Sequence, residues 1–394
     1  MKTPTPDARH DLLIQRRNEK MARSPHAFVR GNTIRYYEWL QSHRGHALPK
    51  GPPIWICGDC HLGNLGPLAD GAGNVTMQMR DFDQATIGNP LHDLVRLALS
   101  LATAARNSLL PGVVTARMLE HLLDGYAAAF SPDADTVKVA MPKVAQMAVM
   151  RANQRSWKHL ARERIVDTTP SIPLGRNFWQ LSVAEKEGIA ALCQSPELIE
   201  LVTLLKGRER DTPVRMLDAA YWVKGCSSLG LLRYAVLVGV GENDQCLIDI
   251  KEAVQASSPR YRRVSMPRDN ARRVRTGAFS LAPALGERML AQRFLGRGVV
   301  VRELMPQDLK LEIDMLSVDQ ATRTARYLAY VVGQAHAAQM DADTRRSFLA
   351  DLRSSAGKTG AAPDWLWKSV VYLLASHEAG YLEHCRKYAS QLKH

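Results

Sequence analysis

Asp59 and Asn64 stand five positions apart in Gly58-Asp59-Cys60-His61-Leu62-Gly63-Asn64, a loop that follows the apolar run Ile54-Trp55-Ile56-Cys57. Arg80-Asp81-Phe82-Asp83 comes next, and then Gly88-Asn89-Pro90-Leu91-His92-Asp93-Leu94. Oxygen ligands with a further carboxylate nearby suit a hard cation such as Mg²⁺, which takes few protein ligands and completes its shell with phosphate oxygens and water. The remaining carboxylate can orient or deprotonate a hydroxyl. Two other chemistries use the same residues. Asp59, His61, Asp81 and Asp83 could form a metallohydrolase site, but that needs more histidine than the segment supplies. Cys57 and Cys60 could form a redox pair, but such a motif normally opens a helix and this one sits in a loop; two unpaired thiols are expected.

The elements that must hold these residues follow from periodicity and punctuation. Residues 8–43 predict two helices with a turn at Ser24-Pro25, and Ile54–Cys57 predicts a strand. Val75, Met77 and Met79 alternate as a second strand after the turn at Gly71–Asn74. Residues 89–165 predict helices with a break at Ser131-Pro132-Asp133, and 166–177 predicts a loop. Then three runs have strand character: Met216–Val223, Leu231–Val240 and Cys246–Ala253, separated by Gly225, Gly230 and the turn Gly241–Asp244. A helix near 283–295, a strand at Val299–Leu304 and helices to the end, one spanning 317–340, complete the pattern.

The 394 residues are 46% hydrophobic and 23% charged, which excludes disorder as the main state and predicts two or three lobes. No apolar run is long enough to cross a bilayer, and the N-terminal segment has no apolar core of a secretory signal; a cytoplasmic protein without a membrane partner is expected. The net charge of +13 favours anionic partners. Seven arginines (260, 262, 263, 268, 272, 273 and 275) face one acid, Asp269, within 257–275. They are either a solvated face or an anion site. Nucleic acid is possible but not favoured, because Tyr261 is the only interleaved aromatic. A second basic set, Arg151, Arg155, Lys158, Arg162 and Arg164, has helical spacing.

The Asp59–Asn64 loop, the Asp81 turn and the Gly88-x-Pro90-x-x-Asp93 segment together resemble the catalytic segment of the protein-kinase-like superfamily, especially its aminoglycoside-phosphotransferase-like branch. That resemblance implies Asp59 as catalytic base and Asn64 and Asp81 as metal ligands. It matches His61 to a histidine of that branch and implies that Asp93 bonds the catalytic-loop backbone. Cys57 departs from it, since the branch usually has histidine there. Downstream, Gly225-Cys226-Ser227-Ser228-Leu229-Gly230 resembles a kinase glycine-rich loop, with Ser227 in place of the middle glycine. Small residues there let backbone N–H groups approach phosphates. Leu247–Ala253 resembles the strand that carries the phosphate-binding lysine, here Lys251. Glu287 is the expected acidic partner, and Met305-Pro306-Gln307-Asp308 the hinge. The whole chain also resembles a bacterial family catalogued as domain of unknown function 2252, through Ser24–Gly31, the Asp59 loop, Asp81–Pro90 and Val301–Leu304.

The order of these pieces implies an α+β protein with a protein-kinase-like, two-lobe, circularly permuted fold. Residues 1–212 would begin the helical lobe with the catalytic and metal-binding loops. Residues 213–305 would form the β-rich small lobe, and 306–394 the helices that complete the first. Permutation is physically tolerable because contacts, not chain order, build a site. The implied activity is an ATP- and Mg²⁺-dependent phosphotransferase acting on a hydroxyl-bearing acceptor, a small molecule or a protein. Alternatives are nucleotidyl (AMP) transfer on the same fold, or a non-catalytic nucleotide- or nucleic-acid-binding protein.

Overall fold

The computed structural model describes residues 4–42, 48–131, 139–155, 171–203, 208–209, 212–242, 244–261, 264–311, 317–355 and 362–388. The protein is α+β. Lys158, Arg162, Arg164, Arg262, Arg263, Asn243, Pro132 and Asp133 lie outside the described residues.

Three helices open the chain: α1 (Pro6–Ala22), α2 (Pro25–Gly31) and α3 (Thr33–Gln41). The second expected helix is split, because the Ser24 hydroxyl caps α2 through Ala27 N–H and the Asn32 side chain caps α3 through Arg35 N–H. Strand β1 (Ile54–Ile56) pairs antiparallel with β4 (Thr86–Gly88), and β2 (Leu65–Ala69) forms a hairpin with β3 (Val75–Met79). Helices α4 (Leu91–Asn107), α5 (Gly112–Ala128) and α6 (Lys143–Gln154) follow. The basic set assigned to one helix is cut at 154; Arg155 lies beyond the helix end and donates to Pro306 O.

A six-stranded antiparallel sheet comes next, in the order β5-β6-β7-β8-β10-β9. Its strands are β5 (Phe178–Trp179), β6 (Val214–Trp222), β7 (Arg233–Val240), β8 (Asp244–Glu252), β9 (Met289–Phe294) and β10 (Arg297–Leu304). The sheet thus draws one strand from before residue 213. Helices α7 (Val183–Cys193) and α8 (Pro196–Thr203) cover one face, where Ile189, Leu198 and Val202 meet Tyr234, Val236, Val238, Ile248, Ile250 and Val301. The alternate residues of the same strands turn to the other face.

The helix expected at 283–295 is not there. Pro283–Gly286 is a single turn, α10, and Met289–Phe294 is β9, joined to β10 through Leu295 and Gly296, both at positive φ. The helix lies earlier, at α9 (Asn270–Leu281), inside the arginine-rich stretch. Asp269 caps it through Arg272 N–H, and Ala271, Val274, Ala278 and Leu281 form a buried stripe at helical spacing. The charges between them mask that stripe in the sequence.

The larger core is built on α4, α5 and α11 (Val318–Ala337), with α12 (Ala342–Ser355) and α13 (Asp364–Tyr388) beside them. Leu94, Leu97, Leu101 and their neighbours make α4 apolar almost all round, and each such leucine contributes about 1.5–3 kcal/mol. Helices α5 and α11 touch backbone to backbone: a Cβ on Gly125 would sit 1.9 Å from Arg326 O. Among the described residues, no helix is long and apolar enough to cross a membrane.

Candidate active site

The Asp59 loop is held from below. Asp93, near the start of α4 and fully buried, accepts from Cys57 N–H at 2.7 Å and Gly58 N–H at 2.9 Å. This is the backbone bonding that the kinase-like resemblance implies for Asp93. His336 on α11 approaches the same carboxylate at 3.2 Å, and Tyr37 donates to Gly58 O at 2.7 Å. The end of α11 therefore packs under β1, where Gln339 also bonds Trp55 N–H and C=O. Gly58 has φ +75°, and a Cβ there would meet Gln84 O at 2.1 Å, so only glycine makes this turn without displacing the Asp81–Gln84 loop.

Asp59 lies almost buried on the floor. Arg96 Nε donates to its Oδ1 at 2.8 Å, and His61 Nε2 is 3.9 Å from Oδ2. Burial raises the Asp59 pKa, and the charge and hydrogen bond of Arg96 only partly offset this. His61 is driven well below its ordinary value, first by burial and then by Arg30 and Arg96, so its ring is neutral near pH 7. Asn64 donates its amide N–H to Asp59 O at 2.9 Å, which leaves its amide oxygen for a ligand. Cys57 and Cys60 are unpaired and buried, and burial pushes both thiols well up.

Strand alternation supplies the opposite wall. Arg233 pairs in register with Lys251, Lys251 with Val300, and Asp249 with Arg302. Arg233, Asp249, Lys251 and Arg302 therefore share one sheet face, turned toward Asp81 and Asp83. Lys251 Nζ is 3.4 Å from Asp81 Oδ1 and ion-pairs with Asp83. Burial pushes Asp81 up, but Lys251, Arg233 and Arg302 outweigh it and hold its carboxyl well below the ordinary range. Asp83 is raised, by burial and then by Asp81.

Asp249 is gripped by Arg233 at 2.9 and 2.6 Å and approached by Arg302 at 3.7 Å. Burial would raise it, yet the two guanidiniums hold it far below its ordinary value. A depressed carboxyl contributes its stability above the unfolded value, about 3.9, and loses it as pH falls. Asp249→Asn should therefore cost about 3–5 kcal/mol at neutral pH. It should also flatten the loss of stability below about pH 4. Denaturant titrations at several pH values check both; a parallel pH profile in the variant would remove Asp249 from that role.

Asp59, His61, Asn64, Asp81 and Asp83 on the floor face Gly225, Cys226, Ser227 and Ser228 in one cavity of about 110 Å³, with Arg30, Arg80, Arg233, Arg302 and Lys310 around it. Gly225 has φ +101°. Two expected residues are elsewhere. Gly230 packs against Ile14 of α1, and its carbonyl oxygen meets His10 Nδ1 at 3.2 Å, outside the cleft. Glu287 is exposed just after α10; the inward neighbour is Arg288, which pairs with Asp308 at 3.1 Å. The acids beside Lys251 are Asp81 and Asp83, and the residue that α9 contributes to the cavity around Lys251 is Val274, not a carboxylate. Arg273 is buried and donates to Ala85 O, Asp83 O and Val254 O. Arg275 donates to Met289 O, and Arg260 to Met266 O and Pro267 O. All three of these arginines bond backbone carbonyls; Arg273 does so buried, while Arg260 and Arg275 remain exposed.

Sequence reasoning did not place Arg96, Arg233, Asp249, Arg302 or Lys310 in the site. The spacing of two between Asp249 and Lys251, and the charged residue Arg302 inside an apolar strand, were the available signals.

Among the described residues, no three histidine, cysteine, aspartate or glutamate side chains cluster as a metal site. Asn64 and Asp81 line the same cavity and offer the donor types that a Mg²⁺-like ion takes, an amide oxygen and a half-exposed carboxylate.

A family model described as "Uncharacterized protein conserved in bacteria (DUF2252)" matches residues 9–387. The chain belongs to the DUF2252 family. The match takes in both walls of the cleft, so the Asp59 loop and the Lys251 sheet are parts of one DUF2252 unit. No curated protein and no solved structure matches the chain, so the kinase-like reading of this DUF2252 cleft rests on its residues.

Proposed function

We propose that this chain is an ATP- and Mg²⁺-dependent phosphotransferase with a circularly permuted kinase-like fold, acting on a hydroxyl-bearing acceptor. One observation carries the reading. Lys251 meets Asp81 across 170 positions of sequence, and Asp81 in turn lines one cavity with Asp59 and Asn64. Phosphoryl transfer needs a cation, metal ligands and a base around one triphosphate, and catalyses mainly by positioning and charge. Ordinary packing makes no such demand on these side chains.

Lys251 and the Gly225–Ser228 backbone would hold the nucleotide phosphates. Asn64 and Asp81 would hold the Mg²⁺, which when bound offsets phosphate charge. Asp59, fixed by Arg96, would orient the acceptor hydroxyl and take its proton. Its raised pKa suits that task, since a base is most effective near the working pH.

The test is incubation of the purified protein with γ- and α-labelled ATP and candidate acceptors. Transfer of γ-label is expected. Label from the α position would replace the reading by nucleotidyl transfer, and no label from either would end both. Asp59→Asn should keep nucleotide affinity and lose transfer by roughly 100- to 10,000-fold. Asn is preferred to Ala because Arg96 is wholly buried and needs a partner. Unchanged transfer in Asp59→Asn would take the base role away from Asp59.

A further inference from the structure

We infer that the acceptor carries an oxyanion of its own, which seats in a cationic cavity beside the cleft while its hydroxyl faces Asp59. This rests on the phosphotransferase reading and names its substrate class. The cavity is about 460 Å³, within the range of small-molecule sites. Lys20, Arg30, Lys224 and Lys310 line it, with Phe178 and Trp222 as an apolar wall. It shares Arg30, Lys224, Gly225, Cys226 and Lys310 with the cavity that holds Asp59.

The charges divide along this channel. The Asp59 end has three carboxylates among its lining residues, and Lys251 reaches Asp81 and Asp83 beside it. The other end has four cations and no carboxylate. A nucleotide with its cation needs acids and bases together, as the first end provides. Cations alone fit an uncompensated anion. Two details point the same way. Arg30 Nε is buried without a hydrogen-bond partner, with its guanidinium packed over Gly63 at the mouth of the Asp59 loop. Lys310 is pulled down to about 8, first by desolvation and then by the positive charge of Arg30 and Arg80. Crowded like charges of this kind are relieved when an anion binds. The aromatic wall is ordered: the Phe178 and Trp222 rings stack at 5.8 Å, and Lys224 Nζ lies 3.8 Å above Trp222. It offers a surface for the carbon skeleton between the oxyanion and the hydroxyl.

Cys226 lines both cavities and is partly exposed, so its thiol reports occupancy without any turnover. N-ethylmaleimide labelling of Cys226, followed by peptide mass spectrometry near neutral pH and at matched ionic strength, compares inorganic phosphate, acetate and glycerol. Phosphate or acetate should slow labelling several-fold, and glycerol should not. Whichever anion protects better tells a phosphorylated acceptor from a carboxylated one. The Lys20→Gln/Lys310→Gln variant should lose the protection while keeping its thermal unfolding midpoint, and Lys251→Gln should keep the protection. Equal labelling with all three probes, or protection by ATP alone, would overturn the inference. Protection by an anion without any transfer of γ-label would instead overturn the phosphotransferase reading and leave the anion-selective cavity standing.

Discussion

Asp81→Asn is expected to abolish Mg²⁺-dependent nucleotide turnover, by at least on the order of 100-fold. The substitution keeps the shape and removes the charge. Three cations hold that charge in place: Lys251, Arg233 and Arg302 keep the Asp81 carboxyl well below the ordinary carboxylate range. An amide at 81 still offers an oxygen but no longer balances a divalent cation next to phosphates. The fold should survive, since Asp81 is half-exposed and Lys251 retains Asp83. Mg²⁺ titrations of ATP binding and of turnover, with an unfolding curve as control, make the measurement. ATP affinity and turnover equal to the parent's in Mg²⁺ would remove Asp81 from the site.

Asp93→Ala should act on the fold first. Its carboxylate is fully buried and accepts from two backbone N–H groups, with His336 at 3.2 Å. Alanine leaves Cys57 N–H and Gly58 N–H without partners in the core, at about 1–3 kcal/mol each. With the contact to His336 also lost, about 3–5 kcal/mol of destabilisation is expected, read from the urea midpoint. Activity should fall further than stability alone explains, because these bonds set the turn that presents Asp59. Gly58→Ala should move the same loop by a separate route, the collision with Gln84 O. A midpoint unchanged in Asp93→Ala would mean that the β1 loop holds its own shape.

Much of this was legible in the chain. The strands at Ile54–Ile56, Val75–Met79 and Val214–Glu252 fall within two residues of their expected bounds, because alternation of apolar residues is a local signal. The helix at Val318–Ala337 has buried residues at three- and four-residue spacing and reads as clearly. The Asp59–Asn64 and Asp81 segments are close in sequence, and one hairpin brings them together. Helix α9 was hidden because arginines occupy the faces between its buried residues, and composition there outweighed period. Strand β9 was hidden because Met289–Phe294 also fits a helical face; its pairing with β10 decides it.

By itself the sequence determined the local frames: where six of the ten described strands and most of the described helices run, which loop carries Asp59 and Asn64, and which strand carries Lys251 near its end. Those properties depend on neighbours a few positions away. Only the tertiary structure decided the partners. Arg96 reaches Asp59 across 37 positions, Arg233 meets Asp249 across strands, and His336 meets Asp93 across 243 positions. It turned Gly230 to α1 and left Glu287 in solvent, while Arg273 took the inward position on α9. The reason is that a charge can be buried only where its counter-charge or hydrogen-bond partners are also placed. That condition is met by the packing of whole elements, and no spacing along the chain encodes it.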